Sequence, residues 1–436
     1  MGTDMDAGAG TGIGADAGAT TQGDMTQSAM TPSAVPQGSA AQRPGRLRRM
    51  IARDRDEEHR VSTPLELLFD LCFAGAVAEA AGQLEHYLAH GEPGRGVGGF
   101  AIVFAAIWWA WVNFTWFASA FDTDDVIYRV TVFVEIAGAL ILAAGVPAMM
   151  TKRDFVIGVT GYVVMRIALV SQWLRAAHDD PSSRGTAQRY AVGVTVVQLC
   201  WIGFLAVPEG ARVVWFLVLF VLDLAVPAWA ERAGGTAWHR QHIAERYGLF
   251  TLIVLGEAMV GATSALQAAF GSGGFRWNLV GVVAGGLLIA FGMWWTYFAT
   301  PAQEHLQSNR TTFLWSYAHY PIFAAVAALG AGIPVVVGYD TGSVHIGPVA
   351  AAATVTVPVA VFMIVVWLLH LRASGGLPAA VVYSTPAAVA AVLAATFAGD
   401  AAVLIAGLIV GGLIAVKVAI NPGWGFETEG AARTAA

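Results

Sequence analysis

Three carboxylates stand within one apolar stretch, STPLELLFDLCFAGAVAEAAGQL at residues 62–84: Glu66, Asp70 and Glu79. Acids in such a segment can bind a cation, relay a proton or neutralise a buried base. A charge at the centre of a membrane span costs about 2.5–3.5 kcal/mol, so each needs a partner, a proton or water. In a helix rising 1.5 Å per residue from position 64, Asp70 lies roughly 9 Å and Glu79 roughly 22 Å along the axis. Glu66 and Asp70, at i and i+4, share a face. Asp70 and Glu79, nine residues apart at about 100° each, point about 180° apart. Two environments around one helix predict a central place for it in the bundle.

Glu257, in VLGEAMVGA, and His319 join Glu66, Asp70 and Glu79 as candidates for ion, solute or proton coupling. Small residues around Glu257 permit close helix approach, and a desolvated carboxyl there protonates more readily. Arg166 is the scarce cation. It is expected as counter-charge to Asp70, Glu79 and Glu257, and with Glu135 and Asp223 it forms a set of counter-charge or structural pair candidates. In FDTDDVIYR, residues 121–129, Asp122, Asp124 and Asp125 precede a helix, where carboxylates cap free amides and meet the positive dipole end. With Arg129, Glu245 and Arg246 they are also candidates for a cytoplasmic latch. HRQHIAER, residues 239–246, has an H-x-x-H spacing, but no metal site is expected in it, or elsewhere. There is no Walker loop, no dinucleotide glycine fingerprint following a strand, and no HExxH, GxSxG or CxxC, so neither a cofactor nor an enzymatic reaction is expected. No aromatic-interleaved basic patch points to nucleic acid.

These residues must be positioned by membrane-spanning helices. Of 436 residues, 56% are hydrophobic and 12% charged, and apolar runs recur from position 64 to about 420. That is the composition of an all-α polytopic membrane protein. Ten to twelve spans are expected, from twelve candidates at 64–88, 97–119, 127–149, 154–174, 189–207, 212–230, 244–267, 278–300, 315–337, 346–371, 378–397 and 401–420; the third and fourth, and the last two, each read as a hairpin or as one segment. Residues 1–60 read as a disordered tail ending in a basic juxtamembrane segment, because their polar, small-residue composition cannot bury enough apolar surface to fold. Residues 61–235 form a first six-helix half, 236–422 a second, and 423–436 a short tail. Counting Lys and Arg places both termini in the cytoplasm, with 18 of the 24 basic residues on that side. Trp108 precedes Pro147 by 39 residues and Trp294 precedes Pro334 by 40. Glu66 and Glu79 correspond loosely to Glu245 and Glu257. The halves therefore read as a parallel six-plus-six internal repeat.

The blocks STPLELLFDLCFA (62–74), WFASAFDTDD with Arg129, GYVVMR ending at Arg166, HIAERYGLFTLIVLGEAMVGA (242–262), WWTYF (294–298) and YAHYP (317–321) give the chain its family likeness. In combination and order it resembles the bacterial low temperature requirement protein A family. The departures are Cys72, Ala74 and Ala258, the last removing a hydroxyl expected beside Glu257. The resemblance implies a multi-pass membrane protein named for growth at low temperature, and no established chemistry. From the residues themselves, the expected function is a transporter or channel for a small ion or solute in the cytoplasmic membrane. The alternative is a structural or sensing membrane protein linked to low-temperature growth. The bilayer and a small ion or solute are the expected partners, and the oligomeric state is left open.

Overall fold

The computed structural model describes residues 47–54, 57, 60–271, 277–299, 306, 309–371, 379–422 and 424, all within one compact unit, Pro44–Ala436. Most of the tail expected at 1–60, the short tail at 423–436 apart from Trp424, and most of the connection after the eighth span lie outside the described residues. Among the described residues the structure is all-helical. In chain order the helices are α1 Pro64–Ala89, α2 Pro93–Phe121, α3 Val126–Lys152, α4 Val156–Asp179, α5 Arg184–Phe204, α6 Glu209–Ala230, α7 Arg240–Gly271, α8 Trp277–Phe298, α9 Asn309–Thr341, α10 Pro348–Val366, α11 Ala379–Ala395 and α12 Ala402–Ile420. Each expected span has its helix. Nine of them, all but α1, α5 and α11, are long and apolar enough to cross a membrane.

Local chemistry sets the boundaries. Thr63 caps α1 in a reciprocal box with Glu66 and Pro64 occupies the first turn, satisfying amides that a helix start leaves free. Asp125 caps α3 by accepting from the Tyr128 amide at 2.9 Å. Gly234 and Gly235, at φ +157° and +80°, carry the chain from α6 into α7, and the second lies where a side chain is strained.

Successive helices run up and down. The segment before α1 lies across one end of the bundle: the amides of Arg48, Met50 and Ala52 donate to Asp125 at 3.0 Å, Asp179 at 2.9 Å and Asp180 at 3.1 Å. At the other end, Tyr87 near the close of α1 donates to the Met150 carbonyl near the close of α3 at 3.2 Å.

Small residues hold the closest crossings. A Cβ built on Gly161 of α4 would lie 2.6 Å from the Gly138 carbonyl of α3, and one on Gly145 would lie 2.7 Å from the Gly158 amide. Gly332 brings α9 against Thr354 of α10 in the same way, and Gly285 meets Gly407 where α8 crosses α12. With little hydrophobic drive between helices in lipid, such approaches supply the van der Waals contact that holds a bundle.

The helix α1 packs against α2, α3, α7 and α9. It is central on one side only. Leu68 and Leu71 remain 43% and 59% exposed, and Glu79 lies on this open face. The expected opposition of Asp70 and Glu79 is real, but the second environment is the bundle's outer surface.

Candidate functional site

The polar centre forms where α1, α2 and α7 meet. The capping box aims Glu66 inward, and one turn later Asp70 follows on the same face; both side chains are fully buried. From α7, Arg246 enters between them. Its Nε donates to Asp70 Oδ2 at 3.0 Å, its Nη2 to Asp70 Oδ1 at 2.5 Å, and its Nη1 forms an ion pair with Glu66 Oε1 at 2.9 Å. From α2, Trp111 donates its indole N–H to Asp70 Oδ1 at 2.7 Å, and Thr115 accepts from Arg246 at 3.4 Å. His242 brings Nε2 within 3.3 Å of Glu66 Oε2. The aromatic surround keeps water out: Phe114 lies 4.0 Å from Phe69 between ring centres, and Trp111 stacks on Phe250 at 4.4 Å. Guanidinium and carboxylate match geometrically in such a fork, which gives a charge-assisted pair both strength and direction.

Two corrections follow. Arg246 is not at a cytoplasmic latch with the α2–α3 aspartates; it is buried as the partner of Asp70 and Glu66. Arg166 is not the counter-charge of Asp70, Glu79 or Glu257; it lies 3.7 Å from Asp223, while Glu135 accepts from Gln172 at 3.2 Å. Trp201 donates to the other Asp223 oxygen at 3.1 Å. Arg166, Glu135 and Asp223 thus occupy the α3–α6 side of the first half, away from the α1–α7 centre.

The remaining latch candidates resolve into separate contacts. Asp124 and Arg129 form an exposed bidentate pair at 2.7 and 2.9 Å. Asp125 joins Arg175 and the Arg48 amide besides capping α3. Burial alone would raise its carboxyl, but Arg175 and the amides of Tyr128 and Arg48 hold it down to about 2. Asp122, whose side chain is 4% exposed, lies 3.6 Å from Arg53. There burial, helped by the nearby Glu66, outweighs Arg60 and Arg53 and pushes the carboxyl up to about 6. Glu245 accepts from the Ser62 amide at 3.2 Å.

His319 is fully buried in an aromatic nest. Its Nδ1 lies 2.7 Å from the Trp315 carbonyl and so carries the proton, leaving Nε2 to accept from Tyr297 at 3.1 Å. It touches none of the carboxylates named with it. In the H-x-x-H pair, His239 donates to the Glu57 carbonyl at 2.9 Å and accepts from the His242 amide at 3.3 Å. The described residues contain no group of three or more His, Cys, Asp or Glu side chains placed to hold a metal.

Further along the same two helices, Glu257 of α7 and Glu85 of α1 line a cavity of about 110 Å³ closed on its third side by α9. Apart from Val77 and Val254, its other walls are Ala and Gly residues of α1, α7 and α9. Neither carboxylate has a hydrogen-bond or ion-pair partner among the described residues. Ala258 packs on Gly330, where a Cβ would come within 2.9 Å of its backbone. Arg246 and Glu257 are eleven residues apart, about three full turns, so both face this junction. That spacing was the sequence signal linking them; Glu85 and Trp111 carried none.

The family model for "Bacterial low temperature requirement A protein (LtrA)" matches residues 61–419. An uncharacterized protein of Rhizobium meliloti (strain 1021) is 26% identical over 301 residues, covering 65% of this chain and 71% of the relative. No solved structure matches the chain. The match of residues 61–419 runs from the residue before the Ser62–Glu245 contact almost to the end of α12 and takes in every side chain of the α1–α7 centre, and the chain belongs to the bacterial low temperature requirement A family.

Proposed function

We propose that this membrane protein is a transporter or channel for a small cation or the proton. In this reading its twelve helices all span the cytoplasmic membrane as a parallel six-plus-six repeat with both termini inside. The repeat is supported by matching neighbours in the two halves: α1 on α3 and α3 on α4 in the first, α7 on α9 and α9 on α10 in the second. Pro147 and Pro334 fall in the corresponding helices α3 and α9.

One observation carries the permeation reading: the α1–α7–α9 junction has charge at two levels and a dry layer between. At one level lies the Glu66–Asp70–Arg246 centre. At the other, Glu85 and Glu257 face a cavity without a counter-charge. Between them the fully buried rings of Phe73, Phe250 and Phe323 fill the space. Unpaired carboxylates at membrane depth mark ion or proton pathways, and an apolar constriction is a common way to hold a pathway shut.

The test is flux of H⁺, K⁺ and Na⁺ through the purified protein in liposomes, with and without a pH gradient. Glu257→Gln and Glu85→Gln are expected to lower flux at least tenfold while protein yield and thermal stability are kept. Wild-type flux in both folded variants would overturn the reading. A second reading, a membrane protein without transport activity in which this centre is a structural clasp, has its own support: both oxygens of Asp70 are engaged by Arg246 and Trp111. Absence of flux for every ion, with Asp70→Asn failing to fold, would favour it.

A further inference from the structure

The first half has a large cavity at the end of the bundle opposite the Glu66–Asp70–Arg246 centre. It measures about 530 Å³, within the range of about 300–1,000 Å³ typical of small-molecule sites. Its walls are the start of α2, the end of α3 and the starts of α4 and α6. Four cations line it, Arg95, Lys152, Arg153 and Arg212, against one lining acid, Glu209.

Their charge is only partly cancelled. Arg95 bonds Glu92 at 2.8 Å, and Arg153 lies 3.7 Å from Glu209. Arg212 donates to the backbone carbonyls of Val207 at 3.0 Å and Arg153 at 2.7 Å, which fixes its position and neutralises nothing. Lys152 has no hydrogen-bond or ion-pair partner among the described residues. Asp154, beside the mouth, accepts from the Val156 amide at 3.0 Å.

Beneath this ring the chemistry changes. Ile102, Val103, Met149, Phe155 and Phe216 form an apolar floor, and the same five residues line a narrower crevice that continues into the first half. The wall on α2 is kept bare. Glycine in a helix is unfavourable and needs a reason. Gly96 has one, since a Cβ there would lie 2.7 Å from that of Tyr87; Gly94 and Gly98 have none, for a Cβ on either meets nothing within 4 Å. What the last two preserve is open volume.

We propose that this cavity binds an anionic amphiphile, its acidic headgroup among Arg95, Lys152, Arg153 and Arg212 and its acyl chain on the apolar floor. A bare anion would meet these partly exposed cations in a high dielectric and bind weakly. A neutral apolar ligand would leave the cations unused. An anion carrying a hydrocarbon chain engages both layers, and it can come from the bilayer as a phospholipid or from solution as a single-chain amphiphile.

The experiment titrates the purified full-length protein in a non-ionic detergent with phosphatidylglycerol, phosphatidylcholine, dodecyl phosphate and inorganic phosphate, reading binding by native mass spectrometry and thermal shift. Phosphatidylglycerol and dodecyl phosphate are expected to bind at least tenfold tighter than phosphatidylcholine and inorganic phosphate. If only one of these two binds, it names the source, lipid or soluble amphiphile. Lys152→Ala should weaken that binding at least fivefold. Gly98→Leu, which alters no charge and projects into open space, should weaken it at least tenfold by filling the cavity. Arg212 is left intact because it holds two carbonyls of its own fold. Inorganic phosphate binding as tightly as dodecyl phosphate would overturn the proposal, and so would unchanged affinity in Gly98→Leu protein that melts like the parent.

Discussion

At the scale of single residues, Asp70 and Arg246 are fully buried and bonded through two oxygens. Removing one partner of such a pair strands the other charge, which typically costs about 3–5 kcal/mol. Arg246→Leu and Asp70→Leu are each expected to lower the melting temperature in detergent sharply. The double variant should recover part of the loss, since it removes the charge that Arg246→Leu strands on Asp70 while Glu66 loses Arg246 and is left with His242, and a double-mutant cycle measures the Asp70–Arg246 coupling. Additive losses would refute the pairing. Asp122 is a different case, because it lies in the α2–α3 connection. Its carboxyl is raised from 3.8 to about 6 by burial beside Glu66, against the pull of Arg60 and Arg53. Folding therefore favours its protonated form: the stability it contributes is fully present below about pH 3.8 and is lost as the pH rises through about 6. Asp122→Asn should flatten the pH dependence of thermal stability between pH 4 and 7. It should also remove an infrared carboxyl signal that titrates near pH 6. A signal unchanged by the substitution would assign that titration elsewhere.

At the scale of helices, the α3–α4 crossing depends on backbone contact that any side chain would obstruct. Gly161→Val would drive a Cβ into the Gly138 carbonyl and Leu142 amide, each 2.6 Å from its ideal position. Overpacking of this kind typically costs about 1–3 kcal/mol, so the variant should lose thermal stability and folded yield. Gly256→Ala in α7, where a Cβ meets nothing within 4 Å, should be neutral or mildly stabilising, as helix propensity alone dictates. Equal loss in both would mean that glycine is needed for something other than close approach. The helices themselves were legible in the sequence, because apolar runs of about 20 residues have few other folded solutions. The i, i+4 spacing likewise placed Glu66 and Asp70 on one face. Their partner was not legible: Arg246 is 176 positions from Asp70, and only the crossing of α1 and α7 brings them together. The helix α7 also begins at Arg240, earlier than the expected 244, which carries Arg246 a full turn deeper than a position at the water's edge. Periodicity put Glu79 opposite Asp70 correctly, but it holds no information on what covers the opposite face.

At the scale of the whole molecule, the two halves meet mainly through α1 and α2 of the first against α7 and α9 of the second, with Tyr317 of α9 also donating to the Leu224 carbonyl of α6 at 3.1 Å. The α1–α7 part of that seam is held by the Asp70–Arg246 fork, the Glu66–Arg246 pair and the Ser62–Glu245 bond. In a bilayer, apolar surfaces of separate helical units gain little by meeting, so packing and polar bonds between them must supply the association. The chain between the halves passes through Gly234 and Gly235, exposed and half-buried respectively, which makes a break there tolerable. Residues 47–235 and 236–424 expressed together as two polypeptides should therefore assemble and co-purify in mild detergent. Arg246→Leu in the second polypeptide should abolish co-purification, whereas Arg166→Leu, on the far side of the first half, should leave capture of the second polypeptide intact whenever the first accumulates at all. Loss of assembly with Arg166→Leu at normal levels of the first polypeptide, or assembly undiminished by Arg246→Leu, would place the joining energy outside the buried charge centre. In that event the contacts of α9 with α1, α2 and α6 would be the bonds that make one molecule of two halves.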